Sequence, residues 1–496
     1  MNSRWWIGII LLACCLQAPV ALAEDATYLG VPISSVYEVA CMEGNSSQHL
    51  TVFQSSCPKY QDGYQNMRPV DRYSLERFEG RSINWTSFSF SNSVTVQIHV
   101  LDPEKISLNG RVRIFPSRYG VTPIINKDGI TFTITRPGQY SVEIGDDGYK
   151  NGLLIFANPP EMDKPDPVAG NYYLLTNSTS AEINSVPATY AGIYFKSGVH
   201  DIGVYRVPTN IKNIYFEPGT WVYGAIVMDG RPGVKIFGRG VLSEAKLNYR
   251  ESHAVEALHH SDQIHIEGIV IADTKYFAVR LLGSSNTVEW VKVVGGWTYN
   301  TDGIAAFDGS TVAHCFVWAN DDSLKPYASN TTISDCVVWQ LNNGAVIQLG
   351  WGNAKATNVI ISNVDVLRAE WNNNAANRGV LSCIGDKFAK GGMSGCDQDF
   401  LIENLVTETP VPFIFNIRPN PASPDQIHGL TLKDWNVKME MSQGYPNYIE
   451  CADATNPFDR LVFDHFKLNG VELAATNWVA AGRFVTKNVA VPAFKP

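Results

Sequence analysis

From about residue 205 onward the chain carries an imperfect repeat of short strand-like runs. Anchors at Ile264, Val288, Val312, Ile333 and Ile360 stand 24, 24, 21 and 27 residues apart. Each follows a turn-forming pair: Ser261-Asp262, Ser285-Asn286, Gly309-Ser310, Ser329-Asn330 and Thr357-Asn358. Units of about 20–30 residues made almost wholly of strand and turn cannot bury an apolar face alone, but stacked as coils they enclose a continuous apolar ladder. The spacing predicts a right-handed parallel β-helix. A leucine-rich repeat has the same period, but the units lack both its Leu-x-x-Leu-x-Leu pattern and any helical stretch. Units around Leu401, Leu430 and Leu461 are looser, as expected toward a capping end. Cys315 and Cys336, one repeat apart, are expected side by side in the ladder as buried thiols or a rung-to-rung pair.

Upstream, residues 80–157 alternate with period two. Phe88, Phe90, Val94, Val96, Ile98 and Val100 form one apolar set, and Ile130, Phe132 and Ile134 lead through Arg136-Pro137-Gly138 to Tyr140, Val142 and Ile144. Such runs predict half-buried strands, the Pro-Gly step predicts a hairpin, and the whole predicts a β-sandwich. The chain is therefore expected to be all-β: a sandwich domain over 24–185 and a β-helix over 186–496.

Residues 1–23 have the form of a secretory signal: Arg4, an apolar run from Trp5 to Leu16, then Ala21-Leu22-Ala23 as a cleavage site. The expected location is outside the cell, or the periplasm of a bacterium. No later stretch is apolar enough for a membrane span. Cleavage removes two of the nine cysteines, and Cys41–Cys57 and Cys383–Cys396 are the short-loop disulfide candidates. Sequons begin at Asn45, Asn84, Asn177 and Asn330. With a net charge of −9 the protein is a poor partner for nucleic acid and suits a neutral polymer better. No clustered Cys/His spacing suggests a metal, and His259-His260 point to opposite faces of an extended chain.

The stretch richest in chemistry is Asn300-Thr301-Asp302-Gly303 followed by Asn320-Asp321-Asp322. Asp302 and Asp322 are 20 residues apart, close to the local coil length of 21, so they are expected at equivalent places on adjacent coils, ~4.8 Å apart. Crowded carboxylates resist simultaneous ionisation, which leaves a proton for a general acid beside an ionised base. Inverting glycoside hydrolysis uses that combination, with carboxyls ~6.5–9.5 Å apart. Spacing alone does not allocate acid and base.

The runs Trp297-Thr-Tyr-Asn-Thr-Asp-Gly-Ile, Ser310 to Tyr327 and Gln348-Leu-Gly-Trp351 resemble glycoside hydrolase family 49, the dextranase and isopullulanase family. Val112-Arg-Ile-Phe-Pro-Ser-Arg-Tyr and Leu154 to Glu161 resemble its N-terminal sandwich. The resemblance covers most of residues 80–370. It implies an enzyme, acting as a monomer on a polysaccharide, that hydrolyses an α-glucan with inversion and without metal or organic cofactor. It further implies Asp321 as general acid, with Asp302 and Asp322 holding and activating water. Asn300, Asn320, Lys325, Tyr327, Gln348, Trp351 and Trp297 are the candidate substrate-binding residues; Lys325 and Tyr327 match the family's Lys-x-Tyr and could bind a hydroxyl or tune the acid. Polygalacturonases share this fold, but their Gly-His-Gly and Arg-Ile-Lys motifs are absent here, which leaves pectin, with Arg378 or Arg418 as the cation, or a microbial exopolysaccharide as the second choice. A non-catalytic carbohydrate-binding solenoid would need no carboxylate triad.

Overall fold

A computed structural model of the 496-residue chain describes residues 30–496 apart from 105, 109, 128, 146, 351–355, 373–376, 385–395, 419–425, 452, 453 and 456. The signal segment and Trp351 lie outside the described residues, as does the side chain of Cys396.

Residues up to 158 form two five-stranded sheets. One runs Ser46–Leu50, Tyr37–Glu43, Val94–Val100, Gly129–Ile134, Ile124–Asn126; the other Phe53–Ser56, Ser82–Ser89, Leu153–Asn158, Gly138–Ile144, Val112–Phe115. The alternating apolar residues from both sheets meet in one core that includes Phe88, Val96, Phe132, Tyr140 and Val142. The Pro-Gly step at 137–138 is not a hairpin: Gly129–Ile134 and Gly138–Ile144 belong to different sheets. It is an arch that carries the chain across the sandwich, which is why both flanking runs send apolar residues into the same core.

The strands Gly138–Ile144 and Leu153–Asn158 are buried at every position. Their outer face packs on the solenoid, so they read as continuous rather than alternating. Ile83, Trp85, Phe115, Leu154 and Phe156 of the sandwich join Trp221, Val270, Phe316, Trp318 and Trp339 of the solenoid in a second core. Trp318 stacks on Trp339 with ring centroids 5.4 Å apart and meets Trp297 edge-on at 4.7 Å. Polar ties surround this seam: Arg81 with Glu370 at 2.6 Å, Arg118 with Asp365 at 2.8 Å, Arg368 with Glu143 at 2.8 Å, and Lys292 with Asn158.

Among the described residues the solenoid is a β-helix of 32 strands, parallel but for the late pair Lys467–Leu468 and Val471–Glu472. Its first strand, Tyr172–Leu175, lies ahead of the boundary expected at 185/186. Through the middle of the solenoid each strand pairs with the third strand after it, giving three strands per coil. One rung reads Ile266, Val288, Val312, Ile333, Ile361. The three central anchors read from sequence are thus in register, while Ile264 and Ile360 are displaced by two residues and by one. A one-residue slip turns the side chain to the other face, and Ile360 is accordingly 39% exposed. Cys315 and Cys336 are fully buried in the ladder core.

From Gly268 onward the coils turn a corner at the same place. The residues just after one rung, Trp290, His314, Asp335, Asn363, Asn404, Asp434 and His465, all have φ near +50°, and Gly268 occupies that position in an earlier coil. Left-handed backbone costs most residues ~1–2 kcal/mol. The coils offset it by stacking these side chains: Trp290 lies on His314 at 4.7 Å, and Asn363 donates to Asp335 at 3.1 Å.

Two cysteine and glycan expectations change. Cys41 lies in the sandwich core and Cys57 beside the seam, and both are free thiols. Of the sequon asparagines, Asn45, Asn177 and Asn330 are exposed, but Asn84 is fully buried, which denies it a glycan.

The Trp318→Ala variant removes the middle ring of the seam and is expected to lose ~3–5 kcal/mol of stability, measured by urea denaturation; a loss below about 1 kcal/mol would show that the stacked indoles do not hold the two units together.

Candidate active site

The site forms where one strand ladder is entered. Ile304 pairs with Leu324, and Gly303 N–H donates to the Asp322 carbonyl at 2.9 Å. Asp302 and Asp322 are therefore equivalent positions on neighbouring coils, as the spacing predicts. Asp321 joins them, and one oxygen from each of the three carboxylates lies within 4.8 Å of the others. This is tighter than the inverting separation expected from sequence, because three side chains from two adjacent coils converge on one point.

Each carboxylate has a different set of partners. Asp321 Oδ2 accepts from the Asn300 N–H at 3.0 Å and Asn343 Nδ2 at 2.7 Å, and its Oδ1 accepts from the Asp322 N–H at 3.0 Å. Asp322 Oδ1 accepts from Ala345 N–H at 2.9 Å and Asn377 Nδ2 at 2.5 Å. Asp302 Oδ2 accepts from Lys325, whose Nζ is also 3.6 Å from Asp322 Oδ2. Asp302 Oδ1 is buried and has no hydrogen-bond partner among the described residues.

Lys325 is the cationic partner of the cluster. Its ammonium lies 4.0 Å from the Phe277 ring centroid and 5.1 Å from that of Tyr327, and the residue is almost fully buried. Lys325 thus faces the carboxylates on one side and two aromatic rings on the other.

Burial pushes Asp302 up to about 7, with Lys325 opposing and Asp322 adding to the rise. Asp321 is held well above the usual carboxylate range by burial and by the charges of Asp302 and Asp322. Asp322 is raised by burial against the pull of Lys325. Burial works against the Lys325 ammonium, but the carboxylates and Tyr327 outweigh it and its pKa rises. The cluster as a whole therefore holds protons that separate aspartates would release.

The remaining candidates divide. Tyr327 is buried over Lys325, with its hydroxyl unpartnered, and Gln348 gives its amide N–H to the Leu349 carbonyl while Oε1 is unpartnered. Those two orphan groups and Asp302 Oδ1 are polar atoms available to a ligand. Asn300, in left-handed backbone, serves Asp321 through its main chain. Asn320 is a brace: it donates to the Trp297 carbonyl at 2.8 Å and accepts from Asn343 N–H at 2.9 Å, which occupies both ends of its amide. Trp297 is 1% exposed, its indole N–H on Ser55 Oγ. It is part of the seam and cannot be a sugar platform.

Asn343 and Asn377, whose amides hold Asp321 and Asp322, are not among the residues singled out from the sequence. Asn343 was findable, since Asn342-Asn343-Gly344 follows Asn320-Asp321-Asp322 by one coil. Gly344 is required there: at φ +86° an added Cβ would stand 2.0 Å from the Asp321 carbonyl carbon. Asn377 comes after a longer, irregular coil and has no periodic signal.

The glycosyl hydrolase family 49 N-terminal Ig-like domain matches residues 26–153. The chain is 26% identical over 476 residues to a dextranase of Arthrobacter globiformis, covering 82% of this chain and 74% of that one. It is 28% identical over 358 residues to an isopullulanase of Aspergillus niger, covering 62% of each. Dex49A from Penicillium minioluteum has the same fold, with a TM-score of 0.75 at 18% identity over 94% of this chain and 95% of that one.

The raised carboxyls set a stability test. Between about pH 4, where unfolded aspartate titrates, and the Asp302 value of about 7, the native state binds more protons than the unfolded chain. Stability attributable to the cluster therefore falls as pH rises through that window. The Asp302→Asn variant is expected to flatten this slope in urea denaturation series at pH 4.5–7.5; an unchanged slope would contradict proton retention by the cluster. The N-terminal domain model of glycosyl hydrolase family 49 matches the sandwich, and the similarity to the dextranase of Arthrobacter globiformis, over 82% of the chain, extends into the β-helix.

Proposed function

We propose that the protein is an inverting glycoside hydrolase that cleaves α-glucosidic bonds in an α-glucan such as dextran or pullulan, outside the cell that makes it. The observation that carries this reading is the buried triad of Asp302, Asp321 and Asp322 around Lys325, on a chain similar to dextranases and an isopullulanase.

In this reading Asp321 gives its proton to the glycosidic oxygen as the C1–O bond breaks. Water held between Asp302 and Asp322 attacks C1, and its proton passes to that pair. Lys325 keeps the pair anionic enough to accept it, and proton transfer within the cluster restores Asp321. The fixed N–H donors on Asp321 and Asp322 hold both in place without reorganisation during the reaction.

The close approach of the carboxylates favours a second reading, since retaining enzymes hold theirs at ~5–5.5 Å. The tethers favour the first: both oxygens of Asp321 and Oδ1 of Asp322 are already engaged, and Asp302 Oδ1 is free to hold a water. Proton NMR of the first-formed anomer decides between them, with inversion expected and retention contradicting the assignment. On a panel of dextran, pullulan and polygalacturonate, reducing ends are expected from an α-glucan. Release from polygalacturonate alone would favour the pectin alternative. Asp321→Asn is expected to lose ~10²–10⁴-fold in kcat with binding retained; equal inertness of both proteins on every glycan would favour a binding solenoid.

A further inference from the structure

Asp321 Oδ2 is held by two donors, Asn343 Nδ2 at 2.7 Å and the Asn300 N–H at 3.0 Å, and both trace back to Trp297. One route crosses between coils. Asn343 N–H donates to Asn320 Oδ1 at 2.9 Å, and Asn320 Nδ2 donates to the Trp297 carbonyl at 2.8 Å. The other route runs along the chain: Asn300 lies three residues beyond Trp297, in a turn closed by the Thr301 hydroxyl and N–H on the Thr298 carbonyl at 2.6 and 3.2 Å.

Trp297 is fixed in turn by the sandwich. The polar group of its buried ring, the indole N–H, donates to Ser55 Oγ at 2.9 Å. Ser55 sits on the sandwich strand Phe53–Ser56 and is 1% exposed. Its own hydrogen goes to Asp273 Oδ1 at 2.5 Å, back on the solenoid. With that hydrogen committed to a carboxyl oxygen, the lone pairs of Oγ are left for the indole, so the acceptor is fixed in direction. The solenoid makes room for the hydroxyl at Gly295, where an added Cβ would stand 2.2 Å from Ser55 Oγ and 2.8 Å from Asp273 Oδ1.

We propose that Ser55 is a positioning residue for the general acid: the sandwich reaches into the solenoid with one hydroxyl and, through Trp297, sets the two donors that aim Asp321. The inference rests on the hydrolase reading above and extends it from the carboxylates to the N-terminal unit. Anchorage alone does not call for this bond, since the seam already has its aromatic core and the ion pairs of Arg81, Arg118 and Arg368. What sets Ser55 apart is that its bond ends on the residue from which both Asp321 donors hang.

Both donors favour the Asp321 anion. Loosened, they let Asp321 keep its proton to higher pH, while the groups that face it, Asp302, Asp322, Lys325 and the phenols of Tyr73 and Tyr299, stay in place. A misaimed acid also transfers its proton less often, which lowers kcat without removing the contacts that set KM.

The test is the pH profile of kcat for the full-length protein on the α-glucan that the parent cleaves. Ser55→Ala deletes the hydroxyl, Ser55→Thr keeps it, and Trp297→Phe breaks the same bond from the solenoid side; thermal unfolding sets a temperature at which each is folded. Ser55→Ala and Trp297→Phe are expected to lower kcat about ten- to a hundredfold with KM within about twofold, and to move the basic limb of the profile to higher pH. Ser55→Thr is expected to recover the parent's limb. A folded Ser55→Ala protein with parental kcat and an unmoved limb would overturn the role of Ser55, as would equal losses in Ser55→Ala and Ser55→Thr, and both outcomes leave the hydrolase reading standing. A parent inactive on every α-glucan would overturn that reading, and the proposal with it.

Discussion

The hydrogen-bonded register between successive coils is the constraint on which the site depends. Asp302 and Asp322 meet only because Ile304 pairs with Leu324. A slip of one residue would turn one carboxylate into the apolar ladder and the other away from Lys325. That register is held from inside by the buried rung of Ile266, Val288, Val312, Ile333 and Ile361, and from outside by the left-handed bend that recurs from Gly268 to His465. Neither feature touches the chemistry directly. Together they place a charged cluster of adjacent-coil side chains with the precision of backbone pairing.

The cluster is costly to build, and its surroundings show how the cost is met. Three carboxylates packed within 4.8 Å of one another would repel strongly if all were ionised. One ammonium and several amide donors, from Asn300, Asp322, Asn343, Ala345 and Asn377, offset part of that repulsion. Retained protons offset the rest. The same arrangement that relieves the folded state supplies an acid and a base at neutral pH, so the electrostatic burden and the proposed chemistry have one origin.

The sandwich contributes more than stability. Its outer sheet covers the Trp297, Trp318 and Trp339 ladder, and Trp297 in turn accepts the Asn320 amide that braces Asn343. The chain of contacts from Ser55 through Trp297, Asn320 and Asn343 ends on Asp321. This explains why Trp297 is adjacent in sequence to the catalytic stretch although it meets no sugar. Fold and triad were legible in the sequence because both follow from period: alternation marks the sandwich strands, and the one-coil offset marks the aspartates. Residues that break the period were not. Asn377 follows an irregular coil, and the arch at Arg136-Pro137-Gly138 has the same local composition as a hairpin.

The central claim is that Asp302, Asp321 and Asp322 share protons near neutral pH. Carbon-13 NMR of protein labelled at the aspartate side-chain carboxyls tests it directly, with single Asp→Asn variants for assignment. The account expects at least one carboxyl of the three to remain protonated at pH 6 and its titration to shift when either neighbour is replaced. Three independent titrations near the ordinary value of ~3.9 would contradict it.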